Sequence, residues 1–180
     1  MAMSLSPVSA SPYVPDTSSV ELIPLERLED SHLRLAVSYW RARCGDRRHP
    51  SREELQPRDI AGVLRNMALV KVLDGGADFE YRIVGDAQVR AYALRLQNRR
   101  LSDVAADAPA FGGIVQGLFT HLVQDGAPFA IRGRIGRDIP EANFTDIESV
   151  FLPLGASDHV VDHIVIFSSY VMRAVSTYCM

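Results

Sequence analysis

The sequence predicts an α+β domain built on a five-stranded antiparallel sheet, with a helical crossover on one face and helices ahead of it. Three observations predict it. Two strand-like runs, Met67–Leu73 and Phe79–Val84, flank Asp74-Gly75-Gly76-Ala77-Asp78, which is hairpin chemistry. From Asp86 to Gln124 the apolar spacing becomes helical. Three more strand-like runs, over 127–137, 143–154 and 160–170, close the chain. A hairpin, a crossover and a three-strand meander combine as one antiparallel sheet whose helices lie together on one side.

Size and composition set the frame. A chain of 180 residues, 47% of them hydrophobic, can bury one real core. A net charge of −3 gives no general pull toward nucleic acid or anionic lipid. Cys44 and Cys179 stand far apart without a CxxC pair, which fits free thiols in a reducing compartment. The first residues lack the basic start and apolar run of a signal peptide. No apolar run approaches the ~20 residues that span a bilayer. The expectation is a soluble cytoplasmic protein with no membrane span.

The elements follow in order. Residues 1–20 are rich in Ser and Pro and are expected to form a mobile tail. Residues 21–65 are expected to hold the N-terminal helices. Ser31 is the expected cap of the first, with Glu29 and Asp30 at its positive end. Leu33, Val37 and Trp40 form its apolar stripe, with Leu22, Ile23 and Leu25 upstream also needing cover. Arg41, Arg43, Arg47, Arg48 and Arg52 follow; without interleaved aromatics they read as a solvated helix end, and no nucleic-acid partner is expected. Ser51 and Glu54 have capping-box spacing, and Pro57 opens a short helix carrying Ile60, Val63 and Leu64.

The core is expected over 66–172, with a short tail at 173–180. After the hairpin, Gly85-Asp86 makes a turn, with Asp86 as cap, and Val89, Tyr92 and Leu96 recur at helical spacing. A second turn falls at Asn98. The longest helix is expected over 107–124, with Pro109 near its start and Gly126 past its end. Phe111, Val115, Leu118 and Leu122 make its buried face; Gly112, Gly113 and Gly117 on it suggest close packing or space for a ligand. Pro153 suggests a bulge or strand end. The run Val160–Tyr170 is the most apolar and should be central. Gly155-Ala156-Ser157-Asp158 reads as the turn leading into it.

Catalytic patterns are few. His159 and His163 have the spacing of an inverted zinc-protease motif, but that geometry needs a helix, the segment reads as a strand, and Asp162 stands where Glu should be. No metal is expected there. No GxSxG, GxGxxG or phosphate loop occurs. Arg82 is expected to pair with an acid such as Glu148 on the sheet; its rival role is to hold a ligand carboxylate.

These residues in this order resemble a PAS domain, of a stand-alone bacterial kind frequent in alphaproteobacteria. Tyr39-Trp40 matches that family's Trp-containing helix, Pro50-Ser51-Arg52 its P-S-R turn, and Pro57 to Leu64 the segment after it. Tyr81-Arg82-Ile83-Val84-Gly85 matches its Y-R-hydrophobic-V-G strand, and Leu101-Ser102-Asp103 a later L-S-D. The chain departs from the pattern at Asp86, where Thr is usual, and at Asn98, where Gly is usual.

The resemblance implies a non-enzymatic sensory or regulatory module. It would bind a small ligand, a signalling protein such as a sensor kinase, or both, and act on a separate output chain, since no kinase or cyclase signature is present. The pocket it implies lies between the sheet and the long helix, with Tyr81, Tyr92, Phe111, Val115, Leu118, Phe119 and Phe129 as candidate lining. No cofactor is required. His121 is the one defensible ligand for the haem that some PAS domains carry; a lone histidine there serves equally as a surface residue. Flavin photochemistry would need a Cys in the crossover, and neither Cys44 nor Cys179 is there. Because such domains commonly pair through a leading helix, a homodimer through Leu33, Val37 and Trp40 is expected. The alternatives are a protein-binding scaffold with a filled core and a haem sensor.

Overall fold

The computed structural model describes residues 20–174. The expected Ser/Pro-rich tail before Val20, most of the C-terminal tail, and Cys179 lie outside the described residues.

The sheet is antiparallel throughout, with strands in the order β1-β4-β5-β6-β2-β3. These are β1 (Val20–Ile23), β2 (Met67–Leu73), β3 (Asp78–Val84), β4 (Phe129–Gly133), β5 (Phe144–Leu154) and β6 (His163–Met172). Among the described residues the sheet therefore has six strands rather than five. The extra one is β1, in a region expected to be helical. It spans four residues and buries only Ile23, too short for a period-two signal; its register comes from pairing with β4, Leu22 opposite Ile131. As expected, β6 is interior, between β5 and β2.

Helices cover both faces of the sheet. On one lie α2 (Asp86–Ala91), α3 (Leu101–Asp107) and α4 (Pro109–Asp125); on the other lie α1 (Ser31–Cys44) and a 3-10 segment, Pro57–Asn66. Side-chain alternation divides the two interior strands between two cores. Phe151 of β5 and Ile164 and Ile166 of β6 face the crossover, with Phe79, Phe111 and Phe119. Val150, Leu152, Val165 and Phe167 face α1. Burial on both sides is why β6 reads as a nearly unbroken apolar run.

Leu33, Val37 and Trp40 are buried on this second face, at 0%, 4% and 5% exposure. The expected dimer face is thus corrected: the stripe is covered by the chain's own sheet, and its side chains are not free for a second copy. Polar contacts fix the helix there. Trp40 Nε1 donates to Pro153 O at 3.0 Å. Asp30, not Ser31, caps α1, accepting from the amides of His32 at 2.8 Å and Leu33 at 3.2 Å. Its other oxygen accepts from Ser169 Oγ at 2.8 Å. Glu148 accepts from the amides of Glu29 at 2.8 Å and Asp30 at 3.3 Å. The start of α1 is thereby tied to neighbouring positions of β5 and β6.

Pro153 is neither bulge nor terminus; it pairs opposite Ile164 inside β5. The amide of Asp162 bonds Leu154 O, so position 153 faces the other way. That side lies past the start of β4, whose Phe129 stands opposite Phe151, so no strand requires the amide hydrogen that proline lacks.

The local chemistry elsewhere is mixed. Ser51 and Glu54 form the expected capping box, Pro57 occupies the first turn of its segment, and Asn98 takes a φ of 57°. The helical spacing of Val89, Tyr92 and Leu96 does not hold: α2 stops at Ala91, Val89 is exposed, and Tyr92 is extended and bridged to Ala142. The cap of α2 is Gly85; Asp86 lies in its first turn and pairs with Arg90 at 3.1 Å. In α4, Pro109 and Gly126 mark the ends as expected. A side chain at Gly112 would collide with Ala105 of α3, so close packing accounts for that glycine. Three arginines at and just past the end of α1 are engaged within the chain: Arg41 with Glu26, Arg43 with Asp59 and Arg47 with Glu54.

Two outcomes follow from α1 closing its own sheet. A chain starting at Pro50 exposes Val150, Leu152, Val165 and Phe167, each worth about 1.5–3 kcal/mol when buried; size-exclusion chromatography and circular dichroism should show aggregation or unfolding, not a clean monomer. Asp30→Ala should cost about 1–2 kcal/mol in urea unfolding, as loss of a cap does. Burial works to raise the Asp30 pKa, but Ser169 and the two amides outweigh it and hold it below the ordinary value. A depressed carboxylate contributes stability above its unfolded pKa and loses it as pH falls through the folded one, so the difference between wild type and Asp30→Ala should shrink below about pH 4.

Candidate functional site

Between the sheet and α4 lies a cavity of about 40 Å³. Its walls come from several elements of the crossover core. Tyr81 comes from β3, Gln88 from α2 and Tyr92 from the residue after it; Phe111, Val115, Leu118 and Phe119 come from α4. Ser149 and Phe151 of β5, and Ser168 and Tyr170 of β6, form the floor. Six of the seven expected pocket residues line it. Phe129 does not: it stacks on Phe151 at 4.8 Å, nearly parallel.

His121 is also outside. It is exposed near the end of α4, against the ring of Phe129 at 5.2 Å. The haem alternative named this histidine as ligand, and it does not line the cavity. The space agrees, holding about three waters at roughly 10–15 Å³ of centre volume each, far less than a macrocycle needs.

One end of the cavity is polar. Ser149 Oγ donates to Ser168 Oγ at 2.7 Å. Tyr170 hydrogen-bonds Ser168 and Tyr92. Gln88 Nε2 donates to Asn66 O at 3.2 Å, and Asn66 Nδ2 donates to Ser168 O at 2.8 Å. The rest is apolar and aromatic, with Tyr92 edge-on to Phe111 and Phe144 at 5.0 and 5.3 Å. Among the described residues no charged side chain lines this space. Arg82, offered above as an anchor for a carboxylate, lies on the exposed side of β3 and pairs with Glu80 at 3.0 Å rather than with Glu148. Glu148 lies on β5, two strands away from β3, and its partner is Arg132 at 3.4 Å.

Burial pushes the phenols of Tyr81, Tyr92 and Tyr170 upward; for Tyr170 it outweighs the bonds from Ser168 and Tyr92. All three stay neutral and keep their hydrogens. The site can offer hydroxyl and amide hydrogen bonds to one small group and apolar contact to the remainder.

Gln88, Ser149, Ser168 and Tyr170 were not among the expected site residues. A signal for two of them was present. Alternation through Ser149-Val150-Phe151 and Ile166-Phe167-Ser168 puts both serines on the inward face of apolar strands, where a hydroxyl needs a purpose. Gln88 had no comparable signal, because the turn count of α2 was misread. His159 and His163 fall at the junction of loop and strand, and His163 Nδ1 lies 2.7 Å from Asp162, so they do not share a helix face.

The family model of the PAS domain matches residues 28–165. No curated protein and no solved structure matches the chain. The family match covers well over half of the sequence, and the chain belongs to the PAS domain family. It is thus placed among modules that are generally sensory or regulatory rather than catalytic and that commonly mediate protein interactions. The matched span begins ahead of α1, so the covering helix is part of the family unit, whereas β1 precedes it. No helix among the described residues is long and apolar enough to cross a membrane.

Titration of tyrosinate absorbance should show Tyr81, Tyr92 and Tyr170 silent through the ordinary range near pH 10. A phenol whose folded pKa is raised contributes stability in full below its unfolded value and loses it as pH rises toward the folded one. Unfolding and the ionisation of these three should therefore occur together above about pH 10. Tyr170→Phe should remove one of the three from that step, read as a smaller absorbance change.

Proposed function

We propose that this chain is a non-enzymatic sensory PAS module of the cytoplasm that takes a small ligand into the cavity and reports its presence through α1 to a separate signalling protein, such as a sensor kinase. The observation that carries this reading is a pair of adjacent rungs. Ser149 stands opposite Ser168, and Glu148 opposite Ser169. The first pair faces the cavity; the second holds the start of α1 through Glu29, Asp30 and the Asp30 cap. One residue step along either strand separates the ligand's hydrogen-bonding partners from the groups that dock the helix. A second connection runs from Gln88 through Asn66, at the end of the 3-10 segment beside α1, to Ser168.

The expected homodimer has lost its stated face, since Leu33, Val37 and Trp40 lie inward. A partner would instead read how α1 sits on the sheet, from its outer side, where Leu35 is exposed. The modest volume of the cavity favours a second reading, a protein-binding scaffold with a filled core.

Replacing Leu118 by Trp separates the two. Extraction of the purified wild type followed by mass spectrometry should recover a small molecule that Leu118→Trp lacks, with the variant destabilised by less than about 3 kcal/mol because the added ring enters existing space. An empty wild type, with a variant that loses more than that, would establish the scaffold.

A further inference from the structure

We infer that the cavity selects an uncharged molecule of about four heavy atoms carrying one carbonyl or hydroxyl oxygen, and rejects carboxylates and cations of the same shape; this rests on the ligand-binding reading above.

Size and chemistry converge on that class. The cavity of about 40 Å³ has room for roughly three waters or one molecule of similar bulk. Its polar groups gather at one end, around Ser149, Ser168 and Tyr170. A single polar atom of the ligand can be met there while its other atoms lie against Val115, Leu118 and Phe111. Ser149 and Ser168 are 1% and 2% exposed, so these hydroxyls are not a surface feature.

The lining holds no ionised partner. A carboxylate would enter a buried site with neutral donors alone, and an amidinium with neutral acceptors alone, each giving up its hydration without a counter-charge. The nearest acid along β5, Glu148, is turned to the opposite face and occupied by Arg132 and two backbone amides. The phenols cannot supply a negative charge, because burial holds them protonated. An uncharged oxygen, in contrast, exchanges water for hydroxyl partners at little cost.

Acetamide, acetone, acetate and acetamidinium share one planar shape and differ in charge. Each is titrated into ¹⁵N-labelled full-length wild type at constant ionic strength and pH 7.5, with amide shifts as the readout. Acetamide and acetone should move the amides around Ser149, Ser168 and Tyr170 saturably. Acetate and acetamidinium should bind at least about tenfold more weakly or not at all. Ser149→Ala, checked for folding by circular dichroism, should weaken acetamide about tenfold or less, as one lost hydrogen bond does, and leave its contacts on the α4 side in place. Acetate that binds as tightly as acetamide overturns the class of ligand while leaving a small-molecule site. Silence from all four overturns the inference and the ligand-binding reading with it. Unchanged acetamide affinity in Ser149→Ala overturns the place assigned to the oxygen.

Discussion

Burial of both faces of β5 and β6 is the constraint from which the rest of this structure follows. A strand covered on one side can spend every second residue on solvent; a strand covered on both sides cannot. Val150, Leu152, Val165 and Phe167 must therefore have a partner, and α1 supplies it. The partner is in turn shaped by the strands. Trp40 reaches Pro153 O where β5 runs past the start of β4, and a carbonyl without a strand partner is satisfied by an indole hydrogen. The amphipathic helix and the doubly buried strands are one solution to one problem.

Alternation then sets what can lie in the interior. Since alternate residues of β5 and β6 face opposite cores, Ser149 and Ser168 are committed to the crossover side by the apolar residues beside them. Two hydroxyls on an apolar floor cost free energy unless they bond. They bond each other, and Tyr170 and Tyr92 extend the set. The room beside them is bordered by aromatic rings that meet edge to face, Tyr92 against Phe111 at 5.0 Å. Polar atoms at one end and unfilled room beside them are joint products of this packing.

What could be read in the sequence was what depends on neighbours along the chain. The hairpin at Asp74–Asp78, the capping box at Ser51 and Glu54, Pro109 and Gly126 at the ends of α4, and positive φ at Asn98 are local, and each was legible. Five of the expected residues meet at the cavity because they are aromatic and aliphatic side chains on the inward faces of β3 and α4. The misses depend on distant partners. β1 exists because β4 offers an edge a hundred residues away, not because VELI is a compelling strand. The stripe of α1 was correctly seen to need cover, but periodicity does not tell whether the cover is the chain's own sheet or a second copy. Tyr92 fell on the wrong element because α2 is six residues long, too short for spacing to separate a helix from the extended residue that follows. Charge alone suggests Arg82 for Glu148, but β6 and β2 lie between their strands; Arg82 pairs with Glu80, and Arg132, directly across from Glu148 in register, takes the pairing.

The two faces also differ in how they treat charge. The outer side, toward α1, is laced with ions: Glu148 with Arg132, Arg132 with Glu29, Asp30 on the helix start, and Arg41, Arg43 and Arg47 near the end of α1 on Glu26, Asp59 and Glu54. Most are exposed and individually weak, so the seat of α1 rests on several small contributions and one apolar stripe. The inner side relies on neutral hydroxyls in a low-dielectric space, where each bond is strengthened and each unmade bond is costly. Coupling between the two requires no long path, because Ser149 and Ser168 are covalent neighbours of Glu148 and Ser169. The inner and outer pairs hang from the same run of backbone, so the sheet is at once wall of the cavity and seat of the helix.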